Sequence, residues 1–329
     1  MRHSRWLPWI CAALLLPSSL WGQGLDDLYR AGAEAFQRGD AQRAIEMLST
    51  VAAQQPGHRD VQMLLGQSYL VASRPREAKQ HFEAALRADP QNGLATFLLG
   101  FSLYQAARYV EAIEVLERAR DLAPGNPNPS IYRGLSWLKT GQPEEARIEL
   151  IQALDLAPDD PTAQAAMAEL ELSEGDAAGA EARLGSVVQT MPTVEHRLLL
   201  ARARLESGRP EDAVPLLRQL DDELPERSDV LYLLAQSLLR SGQTDAGRSI
   251  LERFRRQRAV EERLRVLEAT VSTSPEDHAS RLELTRLLID DGQANRARDH
   301  LRILERQVPS ESQLKGLRQD LARLSKSGS

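Results

Sequence analysis

Cysteine is nearly absent: the one thiol, Cys11, falls within the first 24 of 329 residues. The body of the chain therefore has no disulfide, iron–sulfur cluster or thiol nucleophile. Histidine is sparse too, and His58, His81, His196, His278 and His300 are scattered, with no pair at the i, i+4 spacing of a helical zinc site. There is no phosphate-binding glycine loop, no dinucleotide fingerprint and no Gly-x-Ser-x-Gly elbow. The paired carboxylates Asp159-Asp160 and Asp221-Asp222 fall in turns or at helix ends, where such groups cap helices. The sequence thus predicts a protein that is not an enzyme, with no cofactor and no metal. Aromatic residues make up only 5% and charged residues 27%, which suits helices with one Ala/Leu-rich buried stripe and one wet face. The net charge of −6 favours solubility and argues against general nucleic-acid binding.

Long apolar runs are missing as well, apart from Trp6–Leu20, which Pro8 and Pro17 interrupt. That run is shorter than the roughly 20 residues a membrane span needs. It follows the basic head Met1-Arg2-His3-Ser4-Arg5 and precedes the small residues of Trp21-Gly22-Gln23-Gly24, the layout of a secretory signal peptide. Trp9-Ile10 ahead of Cys11 lacks the small residue expected before a lipidated cysteine. Residues 1–24 are therefore expected to be a leader, removed on export to a periplasmic or secreted location. An uncleaved leader would instead anchor the protein to a membrane. Cleavage would take away Arg2 and Arg5 and move the net charge from −6 to −8.

What the chain has is a copied unit. Arg59–Asn92 holds one apolar pattern at three- and four-residue steps, Val61, Leu64, Leu65, Tyr69 and Leu70, then a second, Ala78, Phe82, Ala85 and Leu86. Each is the signature of a helix with one buried face. Gly66 and Ala78 are small because two helices of a hairpin pack about 8–10 Å apart. Pro90 closes the unit, and steps of about 34 residues from it reach Pro56, Pro124, Pro158, Pro192, Pro225 and, after one interruption, Pro309. A period in this range means stacked helical hairpins, each packing only on its neighbours.

Leu65-Gly66, Tyr69, Ala78, Phe82, Ala85 and Pro90 resemble the tetratricopeptide repeat, whose first helix carries a Trp/Leu–Gly–Tyr pattern and whose second carries Ala–Phe–Ala with a final Pro. In register, eight units start near Leu25, Arg59, Gly93, Pro127, Pro161, Val194, Ser228 and His278. The resemblance implies an all-α, right-handed α-solenoid. Its units would occupy 25–254 and 278–309, with a capping helix and frayed tail over 310–329. The segment 255–277 breaks the period: the seventh second helix lacks its proline near Phe254, and Val260, Leu264, Leu267 and Val271 form a further stripe that fits either a long second helix or an extra one. Arg248, Arg253, Arg255, Arg256, Arg258, Arg263 and Arg265 crowd this stretch beside Glu252, Glu261 and Glu262, a pattern expected of a solvated face laced by ion pairs. An acidic partner or anionic surface is the functional alternative.

The family resemblance also implies a concave surface lined by first helices, along which a partner's peptide or helix lies. Tyr29, Phe36, Met63, Leu70, Phe97, Phe101, Tyr104, Ile131 and Leu135 are the candidates for that groove, and they are mostly apolar. The corresponding places further on hold Glu169, Arg202, Tyr232, Gln236 and Arg286, so the later units are expected to bind more polar material. The Lys/Asn clamp with which chaperone-binding relatives hold a terminal carboxylate is absent, its places taken by Tyr29, Ala33, Met63, Gln67, Phe97 and Phe101. The expected function is a non-catalytic scaffold that holds another protein in envelope assembly or secretion. The alternatives are a structural subunit whose strip is a homo-oligomer interface, and an accessory to an enzyme acting in trans. No nucleic acid is expected, and a membrane only through an uncleaved leader.

Overall fold

The computed structural model describes residues 23–307 and 312–327, and all of their regular structure is helical. Most of the leader, with Cys11, and Pro309 lie outside the described residues. The first helices of the repeats are α1 (Gln23–Gln37), α3 (Arg59–Val71), α5 (Gly93–Gln105), α7 (Asn128–Lys139), α9 (Pro161–Ser173), α11 (Val194–Glu206), α13 (Ser228–Arg240) and α15 (His278–Asp290). The second helices are α2 (Ala41–Gln54), α4 (Pro75–Ala88), α6 (Tyr109–Leu122), α8 (Pro143–Leu156), α10 (Ala177–Thr190), α12 (Pro210–Glu223), α14 (Thr244–Thr273) and α16 (Ala294–Gln307), and α17 (Ser312–Ser327) follows. They form two compact units, one ending at Ser207 and the other beginning at Gly208.

The repeats draw on a small set of local devices. Side chains of Asp40, Asn92, Asp160, Asp176, Thr193 and Asp277 accept hydrogen bonds from the free amides of helix starts. Pro75, Pro143 and Pro210 open second helices, where the missing N–H costs nothing. Between first and second helix the chain passes through one residue of positive φ, glycine in six turns and Ser73 and Ala107 in the other two, at 57° and 59°. At the helix crossings the small residues are buried, from Gly66 and Ala78 to Thr285 and Ala297.

In the unit ending at Ser207, successive first helices touch one another from α1 through α11, whereas successive second helices do not. That stack therefore bends toward its first helices. Its largest core joins Phe82, Leu116, Leu150 and Leu170 from second and first helices alike.

The unit beginning at Gly208 departs from the period at α14. The other described second helices have 14 residues, and α14 has 30. The expected end near Phe254 is not there, because Ala259 stands where the other repeats have proline and no glycine or proline follows until Pro275. Of the two arrangements open to the sequence, the structure has the single long helix. Its start packs on α13, Gly247 lying under Leu239. Its end supplies Leu264, Leu267 and Val271 to a second core with Leu284, Leu288 and Leu301. Leu314, Leu317 and Leu321 of α17 are buried in that core too.

Candidate functional site

Burial divides the nine groove candidates. Phe36, Ile131 and Leu135 are buried, so these three belong to the core and cannot face a ligand. The reason is lateral packing: α5, α7 and α9 touch side by side, and Ile131 and Leu135 share a cluster with Leu98, Leu99, Ala163 and Ala166 from the flanking first helices. Phe36 is enclosed in the same way with Ala44, Leu48 and Leu65. Tyr29, Met63, Leu70, Phe97, Phe101 and Tyr104 are half-buried, resting on core residues while keeping part of their surface in water.

The structure brings three of these together around a residue that sequence reasoning missed. Tyr132 on α7 receives Phe101 edge-on at 4.6 Å between ring centroids, Tyr104 at 5.5 Å and Phe97 at 6.0 Å, all three from α5. Phe97 and Phe101 stack at 6.1 Å, and Tyr104 also meets Tyr109 at 5.7 Å. Tyr132 was one turn from its signal: it lies three residues before Leu135 and follows the Ile131 that the periodicity singled out. Burial raises the pKa of both Tyr104 and Tyr132 above the usual phenol range, so both stay neutral hydrogen-bonding groups within an otherwise apolar strip. The strip lies on first helices, the side toward which this stack bends.

One repeat earlier, Tyr69 packs against both His81 and Arg74. His81 stacks on it at 5.1 Å and 7°, and the Arg74 guanidinium lies 4.9 Å from its ring centroid. Gln62 donates to the Pro56 carbonyl at 2.9 Å, which leaves its amide oxygen to accept from His81 Nδ1–H at 2.7 Å. Burial lowers the His81 pKa from its usual 6.5, partly offset by Glu77. The unfolded chain therefore binds the proton more readily, and stability is lost as pH falls through 6.5 toward the folded-state value. Thermal melts from pH 7.5 to pH 5.5 are expected to show a falling midpoint that His81→Gln flattens.

The polar places further along are exposed or paired. Glu169 meets Lys139 at 2.6 Å, Arg202 meets Glu206 at 2.7 Å, and Tyr232 and Arg286 are exposed. The arginine-rich stretch is half laced, as its pattern predicts. Arg253 bonds Asp221 at 2.8 Å and Glu226 at 2.7 Å, Arg258 bonds Glu261 at 2.8 Å, and Arg263 and Arg265 bond Glu283 and Glu262, each at 2.6 Å. Arg248, Arg255 and Arg256 are exposed, and no described residue pairs with them. Among the described residues there is no His/Cys/Asp/Glu cluster that could hold a metal ion, and no helix is long and apolar enough to cross a membrane.

Comparison with known proteins agrees with this geometry. The tetratricopeptide repeat is matched over residues 29–75 and 63–127, and again over 103–170 and 204–265. The chain belongs to the tetratricopeptide repeat family. Its helices and family together define a protein–protein interaction scaffold, a class that is generally non-catalytic. No curated protein matches the chain. Among solved structures it is similar to PilF of Pseudomonas aeruginosa, at 23% identity over 64% of this chain and 97% of that one, with a TM-score of 0.51. It is also similar to a tetratricopeptide repeat protein from Parabacteroides merdae, at 16% identity over 81% of this chain and 99% of that one, with a TM-score of 0.56. At these identities the likeness is one of fold.

Proposed function

We propose that the protein is an exported adaptor that holds a peptide or helix of another protein against the half-buried strip of Met63, Phe97, Phe101 and Tyr104, in the service of envelope assembly or secretion. The observation that carries this reading is the ring cluster on α5 and α7: aromatic faces gathered on the inner side of a curved stack, where a partner can bury them. Large aromatic side chains that keep one face in water are favoured anchors at interfaces, since they bring much apolar area for little lost conformational freedom. Export is supported by the basic head, apolar run and small residues of positions 1–24.

The test is affinity capture from the envelope of the native host, read by mass spectrometry. Phe97→Ala with Phe101→Ala is expected to lose the proteins that the parent chain enriches while keeping its helical circular dichroism. Since both rings also support the core, Phe101→Tyr, which keeps the ring and adds only a hydroxyl, serves as a gentler probe and is expected to weaken capture. Equal capture by parent and both variants sinks the proposal.

A further inference from the structure

The seventh hairpin has an uncovered flank that none of its predecessors has. In the middle of the second helix, Phe82, Leu116, Leu150, Leu184 and Leu217 are fully buried, and the residue one turn on, from Ala85 through Leu220, is buried too. In α14 those two places hold Leu251 and Phe254, and both are only half-buried. On α13, Tyr232 is 44% and Leu239 38% exposed, whereas the earlier repeats are buried at these places, as at Ile131, Ala165, Leu172 and Leu205, or half-buried, as at Phe97 and Leu138. Tyr232 and Phe254 lean together at 5.4 Å, leaving a shared apolar face.

The cause is the length of α14. In the earlier stack each second helix stops, and the next first helix folds back to cover it. Here the helix continues, carrying α15 about 24 Å further along the axis at 1.5 Å per residue, and α13 does not touch α15. The place that α9 takes beside α7 and α8 is thus left open beside α13 and the start of α14.

The charges at this flank are those of a joint between repeats. Arg147, at the place of Arg248, pairs with Glu174 at the end of the following first helix. Glu181, at that same place one repeat on, accepts a hydrogen bond from Ser207 at the end of α11, 3.0 Å away. Arg120, at the place of Arg255, reaches Glu149 of the following hairpin at 3.2 Å, and Asp221, one more at that place, reaches Arg253 at 2.8 Å. In these four pairs the partner comes from the repeat that follows, from its first helix at the place of Arg248 and from its second helix at the place of Arg255. Arg120 also meets Asp121 of its own helix, and Lys79, at the place of Arg248, pairs only with Glu83 of its own. Arg248 and Arg255 are exposed and have no such partner among the described residues, and neither has the neighbouring Arg256. The leader carries Arg2 and Arg5 and no carboxylate side chain, so its charge does not match this flank.

We propose that the flank formed by α13 and the first half of α14 docks an amphipathic α-helix supplied by another protein, about as long as a first helix. Its apolar stripe covers Tyr232, Leu239, Leu251 and Phe254. Its last turn carries a carboxylate for Arg248, as Glu174 does for Arg147, and its negative charge suits the neighbouring Arg255 and Arg256. The incoming helix lies as α9 lies on α8, with its C-terminus over Arg248, where the negative end of the helix dipole adds to the attraction. The surface shares no residue with the aromatic strip of α5 and α7, and the inference stands without that reading.

A natural probe is the synthetic peptide of residues 161–174, which comprises α9 and the Glu174 that pairs with Arg147 in its own joint. Labelled with fluorescein and titrated with the full chain, it is expected to bind saturably in the micromolar range, because a free helix of this length is mostly unfolded and must order on binding. Arg248→Glu with Arg255→Glu is expected to weaken binding about tenfold or more, as is replacing Glu169, Glu171 and Glu174 of the peptide by Gln. Both arginines are exposed, so the thermal midpoint of the protein should not move. No saturation up to about 1 mM, or equal affinity for parent and charge-reversed protein, overturns the proposal. Light scattering supplies the other arm: concentration-dependent self-association abolished by the same two substitutions would assign the flank to a second copy and overturn the assignment to a separate partner.

Discussion

Changing Glu149 to alanine is expected to destabilise the stretch from α6 to α8 by about 3–5 kcal/mol, the usual cost of stripping one partner from a buried ion pair. Glu149 is 5% exposed. Its Oε1 accepts from Arg133 at 2.6 Å and from Arg120 at 3.2 Å, while Arg133 also meets Glu117 at 3.2 Å. One carboxylate thus holds together a network of four charged groups from three successive helices. Without it, two guanidinium groups are left with only the exposed carboxylates of Glu117 and Asp121 to balance them. The network already has weak points, since Arg133 Nε and Glu149 Oε2 are buried and make no hydrogen bond. Replacing Glu149 by Leu together with Arg133 by Met, which removes both charges and keeps the volume, should accordingly recover most of the loss. Repeat proteins open locally, so the measurement is native-state hydrogen exchange. Amides of α6–α8 should exchange roughly two to three orders of magnitude faster in Glu149→Ala, at about 1.4 kcal/mol per factor of ten. Unchanged exchange would mean that the pair contributes nothing net to the fold.

Phe82→Ala is expected to cost a similar 3–5 kcal/mol, by loss of buried area and the cavity left behind. Phe82 is fully buried, and its ring fills the space that Gly66 leaves on α3: a Cβ on Gly66 would lie 2.6 Å from Cε1 of the ring. The two residues therefore share one volume. Gly66→Ala alone should cost about 1–3 kcal/mol by overpacking. Combining it with Phe82→Leu should cost clearly less than the two single changes together, because the added methyl occupies space the smaller side chain gives up. Urea unfolding of the four proteins reads the coupling, and strict additivity would show that Gly66 is small for some reason other than the ring across from it.

The same pair shows why the repeat was legible in the sequence. A ring and a hydrogen atom meeting at a crossing constrain both positions to a narrow range of sizes, so the pattern recurs in step and α3, α5, α9, α11, α13 and α15 begin at Arg59, Gly93, Pro161, Val194, Ser228 and His278. What periodicity carries is packing within a hairpin. It says little about packing between first helices, and there the reading went wrong: Ile131 and Leu135 lie off the core stripe of their own hairpin yet are closed over by α5 and α9. Phe97 and Phe101, on the same register places one repeat earlier, keep a wet edge. Nothing in the local sequence distinguishes the two cases, since the cover comes from residues about 30 positions away. For α14 the signal was the reverse, an absence: with no helix breaker between Arg248 and Ser274, nothing marked whether one helix or two filled the interval.

That unbroken helix also shapes how this end of the molecule comes apart. Where a turn separates successive hairpins, a terminal one can unravel and leave its neighbour intact. A rod that belongs to both the seventh hairpin and the eighth removes that freedom, because losing either side strips support from the backbone they hold in common. The region from Ser228 to Ser327 is accordingly built to melt as a block, trading the piecemeal loosening of a chain of beads for all-or-none release.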